Sequence, residues 1–144
     1  MELPSPDILF LDRRDDPGVA TGVGQVVSGV WLGDSARREG APIPSQIADQ
    51  LRLQEFRNFH GFRRAFWKAV AADLELKAQF EPFDLHLMKR GRAPLALLPD
   101  RNGGRVKFEI HHIVEVAQGG AVYEMDNLVV MTPKRHINLH GKGS

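Results

Sequence analysis

The stretch RVKFEIHHIVEVAQGGAVYEMDNLVVMTPKRHINLHGK, residues 105–142, constrains this chain more than any other. RVKFEIHHIVEV has the β-branched and aromatic content of a strand. AQGGAV reads as a turn, and NLVVMT as a second short strand. TPKRHINLHGK then opens a helix, with Thr132 as N-cap, Pro133 at the first helical position and Gly141 near the stop. Whatever else the chain does, it must bury one face of a strand–turn–strand–helix unit.

Upstream, the pattern changes twice. Residues 1–43 are rich in Gly, Pro and Asp and predict an irregular segment, in which GQVVSGVWL forms a short strand or an extended arm. Val26, Val27, Val30 and Trp31 are expected to pack inward from it. Residues 44–80 predict a helical core. Ile47, Leu51 and Leu53 fall at near-helical spacing behind Ser45 as N-cap. Phe62, Phe66, Trp67 and Val70 mark the main helix, and ELKAQF adds a further turn. Pro82, KRGRAP and LPDRNGG then break the chain into short pieces. The fold expected is α+β: one domain over residues 1–144, mostly helical, with an irregular N-terminal segment and the strand–turn–strand–helix unit at its end. A chain of 144 residues can bury a core of ordinary size.

Composition narrows the chemistry. No apolar run approaches the roughly 18 residues of a membrane span, and MELPSPDILFLDRRDD has acids and a proline where a secretory signal needs a basic end and a long apolar stretch. There is no cysteine, so a metal must be held by His, Asp or Glu. The net charge of +1 hides an asymmetry: residues 1–50 hold eight acids and four bases, and the remainder ten acids and fifteen bases. The positive side faces the direction a phosphate ligand favours.

Four of the six histidines lie between 111 and 140. His136 and His140 are four apart on the predicted terminal helix and share a face, as two solvated histidines or as a metal-binding pair. An imidazole from the HH pair would complete three ligands with a fourth position open, a catalytic arrangement. Strict strand alternation would turn one of His111 and His112 away, so both can serve one centre only if the strand ends and bends there.

The spacing HH, fourteen residues, Asn127, eight residues, His136, three residues, His140 resembles the HNH motif of ββα-metal nucleases. The words FEIHH, GGAVYEMDNLVVMTPKRHINLH, GAPIPSQIADQLR and EFRNFHGFRRAFWKAV are similar to the DNase domains of nuclease bacteriocins, the E-group colicins and S-type pyocins, over most of the chain. The resemblance implies a ββα-metal motif over 105–142 and one divalent metal held by His111, His136 and His140. Zinc or another transition metal such as nickel suits three imidazoles, with magnesium available in cells. It implies His112 as general base. Asn127 would hold the turn between the strands, or is an ordinary turn asparagine. Arg105 and Glu109 would form an acid–arginine pair beside the metal, or a surface salt bridge. Arg14 in DRRDDPG would reach the phosphate next to the cut, and Lys134 and Arg135 would touch backbone phosphates or simply face solvent.

The activity implied is metal-dependent, largely sequence-non-specific cleavage of double-stranded DNA by a secreted toxin acting in the cytoplasm of a target bacterium. Such relatives are strongly basic, so this near-neutral chain is expected to bind DNA less tightly. A cognate immunity protein is implied as partner, docking on residues 80–98. Phe83, Leu85, Leu87, Met88 and Leu95 are the candidate contacts there, with Leu95 as anchor. Receptor-binding and translocation regions are expected on a longer polypeptide. An HNH nuclease with a restriction or phage role, or a non-catalytic metal-binding module, are the alternatives; a second, non-ligand histidine at 112 argues against the latter.

Overall fold

The structure is a computed structural model and describes residues 12–135. Its helices are α1 (Asp34–Arg37), α2 (Ser45–Leu51), α3 (Phe59–Ala72), α4 (Leu74–Lys77) and α5 (Pro82–Lys89). Its strands are β1 (Gly18–Val19), β2 (Ala41–Pro42), β3 (Glu55–Phe56), β4 (Glu109–His112) and β5 (Leu128–Met131).

α3 organises the core. Asn58 caps it, its side-chain oxygen accepting the Gly61 N–H at 2.9 Å. Phe59, Phe62, Phe66, Trp67 and Val70 then recur at three- and four-residue spacing, and all are buried. Trp31, Phe56 and Tyr123 join them in a continuous aromatic cluster, with ring centroids 4.9 to 6.4 Å apart. Asp73 ends α3 and caps α4, taking the Leu76 N–H at 2.9 Å.

The three-stranded sheet is small. β5 lies between β2 and β4, antiparallel to both, so β4 is an edge strand among the described residues. In β4 the long expected strand shrinks to four residues. Residues 106–108 instead bond back to 94–96, through Ala96 N–H to Val106 O at 2.8 Å and Phe108 N–H to Pro94 O at 3.0 Å. A turn at Val116–Gln118 closes on Gly119, whose φ of 91° favours glycine. At Gly120 a Cβ would stand 1.8 Å from the Val114 carbonyl oxygen, so only glycine fits. Thr132 begins the terminal helix as expected, its hydroxyl accepting the Arg135 N–H at 3.2 Å, with helical backbone from Pro133.

The 24–32 segment takes the second of the two forms expected of it, an arm. Several other expectations are overturned. Of the residues expected to pack inward from the arm, only Trp31 is buried, with Val27 half-buried. Val26 is 88% exposed and Val30 is exposed too, because the arm is tied through backbone bonds at Gln25 and Trp31 and its intervening side chains face outward. Ser45 is the first residue of α2 rather than its cap; its N–H goes to Gln25 O at 2.8 Å, so the arm satisfies the helix end. Leu53 lies outside α2, exposed, at φ 70°. Pro82 opens α5 instead of breaking the chain, occupying the first turn where no N–H is needed.

Candidate active site

β4 carries His111 opposite Val129 and His112 opposite Leu128, in unbroken register. Alternation therefore holds through the pair, and the strand ends at His112, with the backbone bending at Ile113 and Val114, as expected. Glu109 and His111 share one face of the sheet, and Ile110 and His112 the other, toward α3.

His112 is buried and firmly oriented. Its ring sits 4.7 Å from that of Phe59, and Nε2 lies 3.0 Å from the Val122 carbonyl oxygen. A carbonyl only accepts, so Nε2 carries the proton and the lone pair is on Nδ1. Burial pushes the imidazole below its usual pKa; Arg14 and Arg63 push the same way, against the Val122 hydrogen bond and Asp12. The ring is thus kept neutral, as an acceptor of protons must be.

Asn127 fastens the loop between the strands. Its side-chain oxygen accepts the Val114 N–H at 2.8 Å, and its amide donates to Val114 O at 3.1 Å and Ala121 O at 3.0 Å. Ala121 precedes Val122, so the asparagine also sets the carbonyl that orients His112.

Three arginines surround this edge. Arg105 donates through Nε to Glu109 at 2.8 Å and through Nη2 to the same carboxylate, on the His111 side. Arg14 stands on the His112 side, in a turn (Arg13–Asp15) that packs against α3, and pairs with Asp12. Arg63, on α3, lies with its guanidinium carbon 5.7 Å from the Phe59 ring centroid and makes no ion pair with a described carboxylate. Lys134 is exposed, while Arg135 donates through Nε to Arg38 O at 2.7 Å. Asp12, Phe59, Arg63 and Val122 lie within stretches quoted above, yet the sequence assigned none of them a role at this site. Arg63 had one signal: it lies one helical turn beyond Phe59 on a helix that carries no acid.

His136 and His140 lie outside the described residues. Among the described residues no three His, Asp or Glu side chains converge as a metal site, and His111 is the one member of the expected set within them. A neutral imidazole is a donor that transition metals accept, so the residue fits that role.

The 80–98 stretch forms one surface, joined where Asp84 accepts the Leu95 N–H at 3.0 Å. Phe83 is 61% exposed, and Leu85, Leu87 and Leu95 are half-buried. Met88 is 0% exposed, on the inner face of α5, and can touch no partner of the folded domain. Leu97 and Leu98, which the sequence pattern did not single out, are exposed.

Residues 18–142 match the family model of the colicin/pyocin-S2 DNase domain. Pyocin-S1 of Pseudomonas aeruginosa is 57% identical over 94% of the chain, which spans 22% of that protein's length. The DNase of the pyocin AP41 DNase–immunity complex superposes with a TM-score of 0.84 at 47% identity, covering 88% of this chain and 99% of that one. The nuclease domain of pyocin S8, solved with its cognate immunity protein, gives a TM-score of 0.84 at 52% identity, covering 86% and 99%.

Proposed function

Because this chain belongs to the colicin/pyocin DNase-domain family, we propose that it is a metal-dependent, largely sequence-non-specific DNA endonuclease of the HNH type. It is the cytotoxic part of a secreted bacteriocin that acts in the target cell's cytoplasm and is held inactive by a cognate immunity protein. The observation that carries the chemical part is His112, buried beside Phe59 with Nε2 committed to Val122 O and Nδ1 left to take a proton.

The reaction adds water across a P–O3′ bond. His112 Nδ1 accepts the water proton as the new P–O bond forms and the P–O3′ bond breaks; the leaving 3′ oxygen takes a proton from a solvent water and His112 returns its own to solvent, giving a 5′-phosphate and a 3′-hydroxyl. Asn127 acts at one remove, as a positioning residue for the loop that aims His112. Arg14 and Arg63 on one side of β4, and Arg105 braced by Glu109 on the other, hold the phosphate and offset its growing charge. Lys134 and Arg135 extend the contact along the backbone, so sequence is read little. His111, with His136 and His140, would hold one divalent ion, zinc or a similar transition metal; when bound it supplies Lewis acidity at the phosphate and the leaving oxygen. Phe83, Leu95, Leu97 and Leu98 form the apolar centre offered to the immunity protein, with Leu85 and Leu87 at its margin.

Plasmid nicking tests the reading. Wild type with a divalent metal should cut, a chelator should stop it, and His112→Ala should lose about a hundredfold or more in kcat. Intact plasmid with wild type and metal overturns the enzyme, and an unimpaired His112→Ala overturns the base.

A further inference from the structure

Asp12 touches none of the reacting atoms of the reaction proposed above, yet it holds one of its arginines. Its carboxylate accepts the Arg14 backbone N–H at 2.9 Å, which caps the turn Arg13–Asp15. The same carboxylate takes the Arg14 guanidinium side-on: Nε lies 3.0 Å from each oxygen and Nη2 is 2.6 Å from one. That is the fork geometry a phosphate also seeks. Both side chains are open to solvent, Arg14 by 55% and Asp12 by 40%, so the pair can exchange.

The location of the anchor separates two roles. Glu109 stands on β4 itself, so its grip on Arg105 fixes that arginine relative to His111. Asp12 is anchored to the backbone of the arginine it binds, two residues away. It therefore fixes Arg14 relative to its own turn and not relative to His112. Asp15 and Asp16 follow directly, so residues 12–16 present three acids and two bases to an incoming polyanion.

We propose that Asp12 is an affinity-setting residue, a tethered carboxylate that competes with the DNA phosphate for the Arg14 guanidinium. The inference rests on the nuclease reading. When DNA binds, the phosphate replaces the carboxylate on the guanidinium while Asp12 keeps its cap on the turn. An exposed pair of this kind is worth little, so releasing it tightens DNA binding roughly twofold to fivefold.

Asp12→Asn tests this, because the amide oxygen retains the cap. With the metal-loaded domain and plasmid DNA, at a pH on the alkaline plateau where His112 is already deprotonated, KM should fall roughly twofold to fivefold with kcat unchanged. The log–log salt slope of binding should stay the same, because Arg14 meets the phosphate in both proteins. In an Arg14→Ala background the same substitution should leave KM unchanged. A fall in kcat would make Asp12 a positioning residue and overturn the proposal. An unchanged KM would overturn it, and so would an equal gain in the Arg14→Ala background, which indicates plain charge repulsion. If wild type with metal cuts no DNA, the nuclease reading has failed; duplex binding by wild type and Asp12→Asn in chelator then still decides the competition, equal affinities rejecting it.

Discussion

At the scale of single residues, the centre works by commitment: each polar atom near His112 is given one partner, which leaves one atom for chemistry. Val122 takes Nε2, Asn127 sets the loop bearing Val122, and Phe59 closes one side of the ring. Tyr123 supports the same loop from below, its hydroxyl donating to Asp16 O at 2.6 Å and its ring lying where any Cβ on Gly18 would collide. Burial, and then the charge of Asp16, raise the Tyr123 phenol above its ordinary value of 10.0. The folded state therefore holds this proton to higher pH than the unfolded chain does. Its contribution to stability is complete below pH about 10 and is lost as pH rises through the folded value. The chain has one tyrosine, so phenolate absorbance reports this group alone. The native midpoint should lie above that in denaturant; coincident midpoints would show that the phenol is not held.

At the scale of elements, burial decides what can bind. α5 turns Met88 inward and Phe83 outward, and the Asp84–Leu95 bond sets the exposed Leu97 and Leu98 beside it. Phe83→Ala and Leu98→Ala should each weaken immunity-protein binding by about fivefold or more, as central apolar contacts do, with little change in melting temperature. Met88→Ala should instead cost about 2–5 kcal/mol of stability by opening a cavity. Titration calorimetry beside thermal unfolding separates the two; unchanged affinity in both surface variants would move the interface elsewhere. The helical period told Phe62 and Phe66 from solvent because α3 is long enough to repeat. It could not sort Met88 from Phe83 within eight residues, nor see that α2 stops before Leu53. Val26 and Val30 misled because an arm tied through its backbone needs no buried side chain at each apolar position. The spacing that singled out Asn127 does not depend on such packing, and the structure gives that residue three hydrogen bonds across the loop. Arg63 and Asp12 were hidden because their closeness to His112 comes from folding the Arg13–Asp15 turn and α3 against β4, which no local pattern encodes.

For the whole molecule the governing quantity is where charge lies, not its sum. The net +1 divides into −4 over residues 1–50 and +5 over the rest, and Arg14 is the cation from the acidic part that reaches the site. Cations from separate elements thus lie by β4: Arg14 from the Arg13–Asp15 turn, Arg63 from α3 and Arg105 just before the strand, while Lys134 and Arg135 follow β5, Arg135 bonded to Arg38 O. If four or five of them neutralise phosphates, each releases a condensed counterion, and the affinity for duplex DNA should fall with a log–log salt slope of about −4. The global charge offers no long-range attraction to compensate, so activity should drop steeply from low to moderate salt, and Arg63→Ala should flatten the slope by about one contact. A cleavage rate indifferent to salt over that range would mean that these arginines serve the fold rather than the substrate.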